Sequence, residues 1–137
     1  MLKELTPLNS FEGYYSFNEK QLTENYYNLS NAFNSKFENF EIAYSYKTNY
    51  TPYLCNHLKS LGAVAEVVSE MELDLALKLK YKGERIIYNG PFKSISSLEK
   101  AILNKVTIHI DSLSARYNTS NYETNFTRFG ERRLVNC

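Results

Sequence analysis

The sequence predicts an α/β fold in which a parallel sheet is covered by helices, and two observations predict it. Short runs of apolar and β-branched residues recur at intervals of about 20 residues, and each is followed by a segment with a cap residue and helical spacing of its apolar positions. A composition of 43% hydrophobic and 23% charged residues is that of a globular chain, and 137 residues fit one ordinary domain.

The elements follow in order. Residues 13–17 (GYYSF) read as a short strand, and Asn18 is placed to cap a helix over about 19–36 whose Leu22, Tyr26, Leu29 and Phe33 form one stripe. Phe40 to Tyr46 mixes aromatics with Ile42 and reads as a strand ending at Lys47. Thr51-Pro52 opens the next helix, with Thr51 as cap and Pro52 at the first helical position, and Gly62 stops it after Leu61. Residues 63–68 (AVAEVV) form the next strand. Ser69 caps a helix running to about Lys82 and closed by Gly83, and Glu72 three residues after Ser69 completes a capping box. A third unit has Arg85 to Tyr88 as strand, Asn89-Gly90-Pro91 as turn and 95–104 as helix. Val106 to Ile110 is the following strand, which runs into Asp111-Ser112.

In parallel sheets of this kind ligands bind where the strands end at their carboxyl side. The residues at those ends are Lys47, Glu66 with Ser69, Asn89 with Gly90, and Asp111 with Ser112. One amine facing acids and small polar groups is a candidate site, although one fold hosts many chemistries.

Charge and cysteine content exclude several functions. Lys plus Arg is 16 against 15 for Asp plus Glu, so there is no field to draw in nucleic acid or an anionic membrane, and the 12 tyrosines are not interleaved with a basic stripe. Cys55 and Cys137 are isolated thiols, and His57 and His109 do not complete a metal-ligand set. The start of the chain lacks an apolar signal core and no stretch reaches the ~18 apolar residues of a membrane span, so the expected compartment is the cytoplasm.

From about residue 13 to 113 the chain resembles the N-terminal barrel of pyridoxal-phosphate-dependent amino-acid decarboxylases of the diaminopimelate, ornithine and arginine type. The resemblance rests on four motifs in register. They are Ala43-Tyr44-Ser45-Tyr46-Lys47-Thr48-Asn49; Leu61-Gly62-Ala63-Val64-Ala65-Glu66-Val67-Val68-Ser69 continuing to Glu72-Leu73 and Ala76-Leu77; Glu84-Arg85-Ile86-Ile87-Tyr88-Asn89-Gly90-Pro91-Phe92-Lys93-Ser94; and Ile110-Asp111-Ser112-Leu113.

The resemblance implies a partial (β/α)8 barrel of fold type III, with about four parallel strands and intervening helices. A complete barrel needs roughly 250 residues. It implies pyridoxal 5'-phosphate as cofactor, a small-molecule amino-acid substrate, a homodimer in the intact family, and no nucleic-acid or membrane partner. Lys47 takes the place of the lysine that forms an aldimine with the cofactor, a role that needs an amine able to become neutral, which partial desolvation at a strand end would favour. Glu66 matches a family aspartate beneath or beside the cofactor ring and reads either as a tuner of cofactor charge or as a structural acid. Glu72 matches a family glutamate near the active site, and its capping-box role is a sufficient alternative. Asn89, Gly90 and Lys93 match the turn after the third strand, where Gly90 permits a conformation or a close approach that a side chain would block. Asp111 with Ser112 reads equally as cofactor contact or helix cap, and Arg116 matches the arginine of a fifth strand.

After Asp111 the chain departs from the family. Ala115-Arg116-Tyr117-Asn118 resembles the fifth strand, yet the few residues between Asp111 and Arg116 are too short for a parallel crossover. The expectation is an internal deletion between Ser114 and Ala115, and an irregular tail from about 115 to 137. Thr127-Arg128-Phe129-Gly130 resembles a later family segment. The glycine-rich phosphate loop, the acid facing the pyridine nitrogen, the histidine stacked on the ring and the C-terminal β domain find no counterpart in the sequence. The whole chain, 1–137, therefore reads as an incomplete barrel domain, inactive alone. The alternatives are an amino-acid racemase of the same cofactor fold, or a non-catalytic cofactor-binding or regulatory homologue.

Overall fold

The computed structural model describes residues 16–110 and 126–127. Residues 16–18 enter the first helix without regular structure, so the expected strand over 13–17 does not reach Phe17, and its earlier part lies outside the described residues. Asn18 caps α1 (Glu19–Asn34) as expected, its side chain accepting the Gln21 N–H at 2.9 Å. The stripe is only half used. Leu22 and Tyr26 pack with Leu54, Leu58 and Ala63, whereas Leu29 and Phe33 stay exposed.

The strands are shorter than the apolar runs that announce them. β1 is Ala43–Ser45, β2 Val64–Val67, β3 Ile86–Tyr88 and β4 Thr107–His109. Arg85, expected in β3, belongs to the 3-10 turn Gly83–Arg85 before it. There Arg85 reaches the Glu41 carboxylate and the Gly62 carbonyl.

Between the strands lie α2 (Pro52–Ser60), α3 (Glu70–Lys78) and α4 (Ile95–Leu103). Pro52 holds the first position of α2, but the Thr51 side chain makes no cap bond to the helix. Instead Asn49 Oδ1 accepts both the Thr51 N–H, at 3.0 Å, and its hydroxyl, at 2.7 Å.

Helix α3 ends before the expected Lys82 because Lys80 adopts a left-handed conformation (φ 63°) that turns the chain toward Tyr81. Gly83 is needed for a different reason: a Cβ there would lie 1.6 Å from the Asn104 carbonyl oxygen. Ser69 caps α3 by accepting the Glu72 N–H at 3.3 Å, while Glu72 reaches past Ser69 to accept the Val68 N–H at 2.8 Å. That reciprocal pair accounts for the buried Glu72 carboxylate.

All neighbouring strands are parallel and the sheet order is β1-β2-β3-β4-β5, where β5 is Phe126–Thr127. An order that never reverses is that of a singly wound sheet, in which same-handed crossovers stack the helices on one side. The four parallel strands expected over 40–111 are thus present, and β5 adds a short fifth. Residues 115–118, expected not to pair with β4 for want of a crossover, lie outside the described residues, and the segment that does lie beside β4 is 126–127. Residues 110–125 between them exceed the dozen or so that a parallel crossover needs.

The core lies between sheet and helices. Ala65, Val67, Ile86, Tyr88 and Ile108 on the strands, with Tyr46 just after β1, pack with Cys55, Leu73, Ala76, Leu98 and Ala101 on the helices. Outside this layer Lys100 joins α4 to α3 through Glu70, at 3.1 Å, and Asp74, at 2.7 Å.

Candidate active site

Pairing Ser45↔Glu66↔Ile87↔Thr107 puts these four residues in one row across β1 to β4. Residues paired in a parallel sheet share a face, and alternate residues on a strand take opposite faces. Tyr44, Ala65, Ile86 and Tyr88 therefore face the helices, while Ser45, Glu66, Ile87 and Thr107 face away from them, and all four of these are only partly buried. One step further along, Tyr88↔Ile108 fixes Asn89 beside His109 on that same open face. The carboxyl end of the sheet is thus polar on the side that none of the described helices covers.

Lys47 stands at the end of β1 in the 3-10 turn Tyr46–Thr48. Its neighbour Tyr46 is completely buried in the core and anchors the turn from below. The Thr48 hydroxyl donates to the Ser45 carbonyl at 2.7 Å, and the Tyr44 hydroxyl donates to the Asn49 carbonyl at 3.0 Å. The backbone of Lys47 is held on both sides, yet its side chain is exposed. The expected partial desolvation of this amine is not provided by the described residues, because the strand ends before Lys47 and the turn lifts it out of the sheet.

Glu66 is half-buried, and its Oε1 accepts the Asn89 side-chain amide at 3.3 Å. Asn89 itself continues the strand ladder by one bond, its N–H donating to the Val67 carbonyl at 2.8 Å. Gly90 does what a close approach demands: a Cβ there would sit 2.0 Å from the Val68 carbonyl oxygen. The chain after β3 therefore crosses directly over the end of β2. Lys93 closes this turn by donating to the Gly90 carbonyl, its amine 5.5 Å from the centre of the Tyr88 ring. Of the expected site residues Glu66 and Asn89 meet directly, Gly90 shapes their turn, and Lys47 stands at the same end of the sheet. Asp111 and Arg116 lie outside the described residues.

His109 was not among the expected site residues. Its signal was available in the alternation of β4, where Thr107 and His109 flank the fully buried Ile108. Burial, and then the nearby Lys93 charge, hold its imidazole below the usual histidine range, against an opposing pull from Glu66. On the other side of the sheet, Cys55 is buried and burial pushes its thiol up, which leaves it an inert core group.

Comparison with known proteins gives this geometry a context. The family described as pyridoxal-dependent decarboxylase, pyridoxal binding domain, matches residues 23–120. Diaminopimelate decarboxylase of Methanothermobacter thermautotrophicus is 30% identical over 100 residues, which are 73% of this chain and 23% of that protein. The corresponding enzyme of Aquifex aeolicus is 37% identical over 75 residues, 55% of this chain and 18% of that protein. The crystal structure of diaminopimelate decarboxylase from M. jannaschii superposes with a TM-score of 0.72 at 26% identity, covering 80% of this chain and 28% of that one. That enzyme has also been solved in co-complex with L-lysine. The chain spans about a quarter of the length of these relatives.

Proposed function

The chain belongs to the family of pyridoxal-dependent decarboxylases, within their pyridoxal-binding domain, and on that premise we propose that it holds pyridoxal phosphate through Lys47 and serves the decarboxylation of an amino acid of the diaminopimelate, ornithine and arginine class. The observation that carries this reading is the position of Lys47, an amine on a pinned turn at the carboxyl end of β1, at the same sheet end as the Asn89–Glu66 pair. The donor set suits the cofactor: an amine for its carbonyl carbon, and a half-buried carboxylate for its ring. Diaminopimelate is favoured within the class because the matched relatives carry that activity, and L-lysine, present in co-complexes of such enzymes, is what diaminopimelate becomes on losing carbon dioxide.

When bound, pyridoxal phosphate supplies a sink for the electron pair left on the substrate carbon as carbon dioxide departs. The residues do the rest. Lys47 is the residue that would hold the cofactor at its carbonyl carbon, a role that needs an amine able to give up its proton. Arginine could not do this, since its guanidinium stays protonated. Glu66, whose carboxylate accepts the Asn89 amide, would lend negative charge to the ring and so favour its protonated form. Gly90 keeps the space over Val68 clear, so that the turn carrying Asn89 and Lys93 lies flat against the sheet end.

The test is chemical. Treating the chain with pyridoxal phosphate and then borohydride should fix one label on the peptide containing Tyr46-Lys47-Thr48. Lys47→Ala should abolish it, whereas replacing the exposed Lys80 should not. Equal labelling of many lysines, unchanged in Lys47→Ala, would refute a specific site.

A further inference from the structure

The polar face at the carboxyl end of the sheet carries a further residue that the proposed function leaves unused. Val67, Tyr88 and Ile108 all face the helices and are at most 1% exposed, so the alternate positions Glu66, Asn89 and His109 fall on the open face, one from each of three neighbouring strands. Asn89 donates to Glu66, and His109 lies within electrostatic reach of both Glu66 and Lys93. A histidine at a strand end of a helix-covered sheet has a bland explanation when it points into the core; this one is on the face away from the core, next to Asn89, which binds the Glu66 carboxylate.

We propose that His109 is a positioning residue of the pyridoxal site, acting through the Glu66–Asn89 pair to fix the face on which the cofactor ring lies, an inference that rests on the cofactor reading above. Its chemistry suits the position. A charged imidazolium would add a third cation to Lys47 and Lys93 at the same sheet end, and would compete with the ring for Glu66. The neutral form does neither, and burial together with Lys93 favours that form. A neutral imidazole can also accept or donate one hydrogen bond while offering a flat surface to an aromatic ring.

Two histidines lie among the described residues, and the other supplies an internal control. His57 is at the α1–α2 contact, where its Nε2 meets the Thr23 hydroxyl at 2.8 Å and its Nδ1 lies 3.5 Å from Glu19, on helices that cover the opposite side of the sheet. Proton NMR of the full chain, titrated with pyridoxal phosphate, should move the His109 ring resonances and shift the pH at which that ring titrates by roughly one unit. The His57 resonances should stay where they are. In parallel, His109→Phe should weaken cofactor binding by roughly tenfold while borohydride still fixes the label on Lys47, and His109→Asn should recover most of that loss.

If the label forms on Lys47 but the His109 resonances do not move, the role of His109 is wrong and the cofactor reading stands. Wild-type affinity in His109→Phe would likewise overturn it. If no label forms on Lys47 in the wild-type chain, the cofactor reading itself fails, and the two failures are distinct. The NMR arm needs no variant, so a His109→Phe chain that misfolds does not remove the test.

Discussion

The two faces of one sheet differ in almost every respect. Toward the helices, β2, β3 and β4 present Ala65, Val67, Ile86, Tyr88 and Ile108, none of them more than 1% exposed. Away from the helices the same strands present Glu66, Ile87, Thr107 and His109, all partly exposed. Helix burial stabilises the first face; the proposed site lies on the second. The difference teaches where to look: stability and function are one residue apart along each strand, so neighbouring substitutions should have different consequences.

The largest expected effect tests the faces against each other directly. Tyr88→Ala removes a fully buried ring and its hydroxyl bond to Ser97 at 3.1 Å, and should cost about 3–5 kcal/mol in urea unfolding. Ile87→Ala, one residue away on the half-open face, should cost only about 1–2 kcal/mol. Equal losses would show that the open face is covered as well as the other.

Gly90→Ala comes next. The added methyl meets the Val68 carbonyl, so the turn must move, and a loss of about 1–3 kcal/mol is expected together with weaker cofactor labelling at Lys47. A variant that keeps both stability and labelling would mean that the turn yields easily and that its position does not matter to the site.

The helix-facing side also predicts an alkaline limit. Burial raises Tyr46 and Tyr81, the latter up to about 12. The unfolded chain ionises its tyrosines near 10 and so binds fewer protons than the fold between those values. The stability contributed by the neutral phenols is complete below about 10 and declines as pH rises toward about 12. Monitoring phenolate absorbance and circular dichroism together should show the last tyrosines ionising only as the fold is lost. Full ionisation of all tyrosines in a folded chain would contradict the burial of Tyr46 and Tyr81.

Smallest in stability is Lys47→Ala, which should change the unfolding midpoint by no more than about 0.5 kcal/mol, because the side chain is exposed. Its effect on labelling should nevertheless be complete. That dissociation is the sharpest form of the comparison, and a strongly destabilised Lys47→Ala would mean that the amine has a structural partner.

Local chemistry determined much of this protein from the sequence. Asn18 and Ser69 cap their helices because a side-chain oxygen three residues before an N–H finds it whatever surrounds them, and Pro52 opens a helix for reasons internal to its ring. The order of strands and helices was equally legible, since apolar runs and helical stripes differ in period. Strand lengths were not. The apolar run 63–68 is longer than the four residues of β2 because pairing partners, not hydrophobicity, set where a ladder ends. Lys47 could be named from its motif, but only the 3-10 turn after β1 decided that its amine stands exposed. Glu66 and Asn89 were named separately, and their hydrogen bond exists because the β2–β3 register brings them together. The alternation of β4 sets His109 opposite the buried Ile108, but only the register of β2, β3 and β4 puts it next to Asn89 on the face with Glu66. Contacts between neighbours in the chain are fixed by geometry that travels with the residues, whereas contacts across the sheet depend on how separate segments align, and that alignment is settled only when the helices close over the core.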